Sequence, residues 1–351
     1  MYTRFGDNDI VTRQAQELVT STWTNNTNNL NVAFTSSQFA DHASFTSTSS
    51  GQFYIDVWNL DPQDSAAELQ YSIAYGHRAG SGSPDFTNDT GSFGLGASRV
   101  TYNQYRQLHY NDDTKYFTFG THTPDSIFAI NINRARYKQR LTLGTLNLHI
   151  SAAAEGTSTN QHILHLTDDS VTNPDGVGTS NLGTYYNIVS GANGQVLTGT
   201  TATTQTNGGV GSYGNFYPEA GLIILNAEAF SSSIGVTENP GLSSNTDLNH
   251  YKLFQKISHS GHFIVDTTEE INSQFYFARV RNDQYNYTNN ESFVDANKNI
   301  RFETMKLNPK VFITTVGLYN DSFEIMALAK LSQPIAKDFT KEALIRIKLD
   351  Y

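Results

Sequence analysis

Two histidine pairs are the first residues in this chain that could do chemistry: His162-Ile-Leu-His165 and His259-Ser-Gly-His262. A zinc ion on a helix takes histidines four apart, with a third ligand nearby. A spacing of three on a strand instead sends the two rings to opposite faces, because successive side chains alternate. Asp168 and Asp169 follow one pair and could complete a ligand cluster by chance. The spacing favours surface or interface histidines, so no metal and no other cofactor is expected.

The other reactive patterns are equally thin. Gly80, Gly82, Gly91, Gly94 and Gly96 lack the strand-to-helix setting and the lysine of a phosphate loop, and read as turn glycines. Gly211-Ser-Tyr-Gly214 lacks the order of a nucleophile elbow. Adjacent acids such as Asp112-Asp113 and Glu269-Glu270 point apart on a strand, and a glycosidase pair is defined by a separation in space. These absences predict a protein that is not an enzyme. Tyr285-Asn-Tyr287 with Asn289-Asn290 is more informative. Such aromatics stack sugars or anchor protein interfaces, where tyrosine is enriched; the interface is the favoured reading. Arg134, Arg136, Lys138 and Arg140 alternate, as on one strand face or one side of a short helix. They read as a solvated or interface face, because a net charge of −10 opposes phosphate binding.

The elements that must position these residues are mostly strands. Charged residues make up only 16% of the 351 residues, and Asn, Thr, Ser and Gly take up the difference. That mix suits short strands and polar turns rather than long amphipathic helices. The chain is long enough to bury a large core and holds 19 Tyr and 21 Phe. It has no cysteine, which excludes disulfides and thiolate chemistry and fits folding in a reducing cytoplasm. The opening Met-Tyr-Thr-Arg-Phe-Gly-Asp has no apolar h-region, so no signal peptide is expected, and no apolar run reaches the ~20 residues of a membrane span.

Apolar spacing predicts helices over 9–20, over 99–110 and over 247–258, and a further one opened by Asp61-Pro62 and carrying Ala66, Leu69 and Ile73. Strands are predicted at 53–58, 126–133, 145–151, 162–167, 185–189, 221–225, 262–266, 274–281 and 300–303, with polar loops at 76–96 and 198–215. The expected class is α+β with β dominant: antiparallel, sandwich-like sheets, a few short helices and long polar loops. A mixed region over 1–116 would precede a β-rich region over 117–351, the two forming one interlocked domain or two.

The last forty residues are the best-patterned. Val311–Tyr319 and Phe323–Leu331 flank Asn320-Asp321-Ser322, a hairpin signature. Pro334 should end the second strand. Ile313, Val316 and Leu318 mix both faces of their strand, so that strand is expected to be buried on both sides or to sit in an interface. In the final strand Ile345, Ile347 and Leu349 should face inward, with Leu344, Arg346 and Lys348 outward.

The same segment carries a resemblance. Ile313-Thr-Thr-Val-Gly-Leu-Tyr-Asn-Asp321, Ala327-Leu-Ala-Lys-Leu-Ser-Gln-Pro-Ile335 and Lys341-Glu-Ala-Leu-Ile-Arg-Ile-Lys-Leu-Asp-Tyr351 look like the C-terminus of virion structural proteins of T-even-like contractile-tailed bacteriophages, marine ones especially. Tyr54–Pro62, Gln70–Arg78, Ile132–Tyr137, Tyr217–Asn226 and Tyr276–Tyr287 fit the same family. The resemblance implies a non-enzymatic virion protein, assembled in the host cytoplasm and present in several copies. It tilts toward a baseplate wedge component holding neighbouring tail proteins, without nucleic acid or membrane as a partner. A neck or other tail-associated protein, a glycan- or receptor-binding adhesin, and a glycosidase are the alternatives. Tyr285, Tyr287, Ile313, Val316, Leu318, Arg134 and Arg136 are the expected interface residues.

Overall fold

The computed structural model describes residues 3–27, 30, 34–35, 54–80, 98–151, 163–196, 213–230, 249–287 and 290–351. In chain order its elements are β1 (Ile10–Ser21), β2 (Phe34–Thr35), β3 (Tyr54–Trp58), β4 (Leu69–His77), α1 (Ser98–Tyr110), β5 (Ser126–Ile132), β6 (Arg140–Leu141), β7 (Asn147–Ser151), β8 (Ile163–Asp168) and β9 (Gly178–Ser180). They continue with β10 (Gly183–Ala192), β11 (Gln195–Val196), β12 (Gly214–Tyr217), β13 (Leu222–Asn226), α2 (Asn249–Ser260), β14 (Phe263–Ile264), β15 (Asp266–Val280), β16 (Val311–Tyr319), β17 (Ile325–Lys337) and β18 (Ala343–Asp350). The protein is a β-rich α+β chain with antiparallel sheets. It divides into two compact units, a scaffold unit (Leu18–Glu269) and a hairpin unit (Met1–Glu17 with Glu270–Tyr351). The division expected at residue 116 falls inside the scaffold unit.

The scaffold unit is built on one long sheet, in the order β14-β7-β8-β10-β12-β13-β5-β4-β3-β2, with β9 and β11 added on β10. Its central strands are apolar on both faces because both faces are covered. On β5, Phe128, Ile130 and Ile132 join one core with Ile73, Leu148, Ile188, Phe216 and Leu253. Ile127 and Ala129, pointing the other way, join Tyr102, Phe117, Tyr217 and Ile224 in a second core. Helix α2 packs its Leu253, Phe254 and Ile257 into the first core, and α1 packs Tyr102 into the second. Each of these fully buried side chains contributes roughly 1.5–3 kcal/mol. At Gly76 the approach of α1 admits no side chain: a Cβ there would lie 2.8 Å from the Tyr102 backbone nitrogen. Trp23 is locked at the edge of the first core. Its indole N–H donates to the Phe263 carbonyl at 2.7 Å, and its ring meets Phe263 edge-on.

Both helices predicted over 99–110 and 247–258 are present, and the expected strands from 126 to 281 form. Three predicted elements do not form. Residues 10–20 lie in strand β1, which pairs with β15; Val11, Thr12, Val19 and Thr20 suit a pleated ladder, and the pairing overrides the helical spacing. The helix expected after Asp61 is a run of turns leading into β4. There the Asp61 carboxylate accepts from the Gln63 N–H and the Asp64 carboxylate from the Ala66 N–H, so side chains take the backbone donors a helix would use. Residues 300–303 make only an isolated bridge, Ile300 to Val294, followed by a 3-10 turn over Glu303–Met305. Most of 32–51, the glycines from Gly82 to Gly96, and 198–212 lie outside the described residues, as does His162.

In the hairpin unit, β18 pairs antiparallel with β15 from Ser273↔Asp350 to Val280↔Ala343, and β1 lies on the other side of β15. Strands β16 and β17 form a separate two-stranded ladder. Pro334 does not end β17 as expected: it falls in the register break, where no ladder donor is needed, and pairing resumes from Ile335 to Lys337. The core is small: Leu318, Ile345 and Ile347, with Ile313, Val316, Ala327, Ala329, Leu331 and Tyr276 packed around them. As expected, Ile345 and Ile347 face inward while Leu344 is 60% exposed. Ile313, Val316 and Leu318 do not divide between two faces. The ladder breaks register between Ile313 and Thr315, which resets the alternation and puts all three on the core side.

Candidate functional site: the open face of the hairpin unit

The structure gathers three histidines, though not as ligands. His149 on β7 stands directly opposite His165 on β8, and its N–H donates to the carbonyl of His262, just before β14. The rings form a stack, 3.8 Å and 3.9 Å between centroids, with the first pair within 3° of parallel. Imidazole lone pairs lie in the ring plane, so stacked rings aim their nitrogens along parallel lines that do not converge on one ion. Among the described residues, no group of three His, Asp or Glu is placed to hold a metal. Burial, with the neighbouring imidazoles adding to it, holds the pKa of His149 down to about 4. His259 sits apart in the last turn of α2.

The other buried polar groups tie down loops. Asp169 accepts from the Asn187 N–H and from the Asn173 and Asn187 amides. Asp168 accepts from the Gly144 N–H at 2.9 Å, and burial raises its pKa. Glu228 accepts from the Asp125 N–H and pairs with His122, fastening the turn that enters β5. His109 on α1 lies among Tyr110, Phe117, Tyr185 and Tyr217, with its Nδ1 2.8 Å from the Tyr217 hydroxyl. Burial holds this imidazole down to about 4. The two arginines expected at an interface are engaged within the scaffold unit. Arg136 bonds Thr24 and Glu68, and Arg134 bonds the Tyr137 carbonyl while lying over its ring.

The hairpin unit presents a different surface. More than half of the exposed large apolar side chains among the described residues belong to it, although it holds little more than a third of those residues. Tyr287 is 61% exposed and rests edge-on against Phe293. Tyr285, at φ +56°, places its hydroxyl 2.8 Å from that of Thr3. Between them, Asn286 is held from below: the buried Lys337 ammonium donates to Asn286 Oδ1 at 2.7 Å and to the Asn282 carbonyl at 3.1 Å. Lys337 is 0% exposed, so one buried cation organises the loop that displays both tyrosines. Sequence reasoning found the tyrosines and missed the lysine beneath them.

On the β16–β17 ladder, the face turned away from the core carries Phe312, Tyr319, Ile325, Met326 and Leu328, all exposed. Gly317 leaves room there for the Tyr319 ring, whose Cε2 would lie 2.9 Å from any Cβ at that position. No further strand pairs with this ladder among the described residues. An open groove of about 460 Å³ lies elsewhere, on the scaffold unit, lined by Gln104, Gln107, Leu108, Asn111, Asn181 and Leu182. Among the described residues no helix is long and apolar enough to cross a membrane. No family model, curated protein or solved structure matches this chain.

Proposed function

We propose that the chain is a non-enzymatic structural protein of a contractile-tailed phage particle, most closely suited to the baseplate, and that its hairpin unit binds neighbouring tail proteins. One observation carries the assembly part of this reading: exposed aromatic and aliphatic side chains are concentrated on one small unit with little core of its own. Isolated exposed apolar residues are ordinary, whereas a concentration of them marks an interaction surface. The placement in a phage tail is supported by the resemblance of the terminal hairpin and of the Tyr276–Tyr287 segment. A neck or other tail position fits the same surface.

Double substitution of Tyr285 and Tyr287 by alanine tests it. Interface aromatics typically carry about 2 kcal/mol or more when truncated. The expected result is a folded chain that no longer enters particles; normal incorporation would contradict the reading. The amide-lined groove beside Leu108 and Leu182 supports a second reading, a glycan-binding module, since amides match sugar hydroxyls. Loss of binding on a glycan array after Gln104→Ala and Asn181→Ala, with assembly intact, would favour that alternative.

A further inference from the structure

The tip of the β16–β17 hairpin holds a bulky residue where the backbone favours glycine. Phe323 sits at φ +63° and is 64% exposed. The left-handed region is costly for side chains with a Cβ, and most of all for large ones. The turn that enforces it is tightly bonded. Asn320 N–H donates to the Glu324 carbonyl, Phe323 N–H to the Asn320 carbonyl, and the Asn320 side chain bonds Glu324 twice. An exposed phenyl ring carried on a backbone in this region, close in sequence to the exposed Ile325, Met326 and Leu328, is an outlier of the kind that marks function.

Charge runs along the same face. The tip is acidic, with Asp321 and Glu324; Asp321 has only an exposed partner, Arg4, at 3.9 Å. Further from the tip the exposed charges are Lys330, opposite Thr315 on the ladder, and Lys310, just before β16. Between the tip and Lys330 the outward side chains are apolar, and beyond Lys330 the exposed Thr314, Thr315, Ser332 and Gln333 make the surface largely polar up to Lys310. A surface that is acidic at one end, basic at the other and apolar between is complementary to itself after a two-fold rotation.

We propose that this face docks on the same face of a second copy of the chain. The two hairpins would lie antiparallel, each Phe323 seated on the Ile325–Leu328 strip of the other and each acidic tip directed towards the other's lysines. This narrows the assembly reading above by naming a partner for one part of the surface, and it rests on that reading only in taking the surface to be an interface.

Sedimentation equilibrium on the purified chain, from about 1 to about 100 µM, is the test, because that range brackets a dissociation constant of about 10 µM. The wild-type mass should rise from one chain to two. Leu328→Asp should leave a single chain throughout, with unchanged circular dichroism. Phe323→Gly should melt at the same or a higher temperature, since glycine relieves the strain, yet weaken dimerisation roughly tenfold or more. Asp321→Lys with Glu324→Lys should weaken self-association, as should Lys330→Glu, and mixing the two variants should restore a heterodimer. A wild-type chain that remains single at the highest concentration would overturn the proposal, as would a dimer indifferent to Leu328→Asp and Phe323→Gly. If that single chain still entered particles, and Leu328→Asp blocked its entry, the occupant would be a different protein: self-docking would fall and the assembly reading would stand.

Discussion

In the scaffold unit, central strands such as β5 are apolar on both faces, and each face is buried under a helix and its neighbours. In the hairpin unit, β16 and β17 bury one face on a core of Leu318, Ile345 and Ile347 and leave the other open. Apolar residues stand on both faces in both places; what differs is whether anything among the described residues covers the second face. A sheet covered on both sides gains its stability within the chain. A ladder covered on one side keeps apolar area in reserve for association. The contrast predicts that substitutions in the first unit are read out as stability and those on the open face of the second as binding.

The largest effect should come from Phe128→Ala, which empties a site at the centre of the first core. A loss of about 3–5 kcal/mol in unfolding free energy is expected, measured by denaturant titration. A loss below about 1 kcal/mol would mean that the scaffold core is not tightly packed. Acid comes next. Above pH 6.5 the His109 imidazole is neutral in both folded and unfolded chains, so it costs nothing. Between pH 6.5 and about 4 only the unfolded chain takes up the proton, and folding becomes less favourable; below that the full difference of about 3 kcal/mol applies. Asp168 and Asp266 have raised values and work in the opposite direction. The difference between wild type and His109→Gln cancels them: the variant should show a flatter fall in melting temperature through this window. In the hairpin unit, hydrogen bonds hold Asp295, Asp338 and Asp350 below 3.8, so what these three contribute is present above that pH and is lost as the pH falls below it.

A smaller effect is expected at the loop of the two tyrosines. Lys337→Met removes the ammonium from the Asn282 carbonyl and Asn286 Oδ1 at a cost of about 2 kcal/mol. Hydrogen exchange in residues 282–287 should rise with it, and an unchanged loop would show that Lys337 does not hold the tyrosines. The smallest stability change belongs to Tyr287→Ala, within about 0.5 kcal/mol of wild type by the same titration. Its effect should appear instead as lost incorporation into particles. A large destabilisation would assign Tyr287 to the unit's own packing against Phe293.

Much of this organisation was legible in the residues. Tyr102, Tyr105 and Leu108 gave α1, Leu253 and Phe254 gave α2, and the alternation of Ile345 and Ile347 with Arg346 and Lys348 assigned the faces of β18. The failures share a cause: local spacing was overruled by distant pairing. Ile10, Val11, Gln14 and Leu18 fit a helix, but β15 offers β1 a ladder. The shared face of Ile313, Val316 and Leu318 depends on a register break that is a property of two strands together. His149 escaped notice because its partners are reached across the sheet, not along it. Lys337 reads as an ordinary strand-end cation, and only burial reveals its bonds to the tyrosine loop.

The central claim is that association is concentrated on the open face of the hairpin unit. Hydrogen exchange followed by mass spectrometry measures this most directly, comparing the chain in dilute solution with the chain in the assembly it forms. Protection should increase in residues 285–287 and 312–328 while β5 and β13, already buried, stay unchanged. Protection gained instead around α1 and Asn181, with 312–328 still exchanging freely, would contradict it.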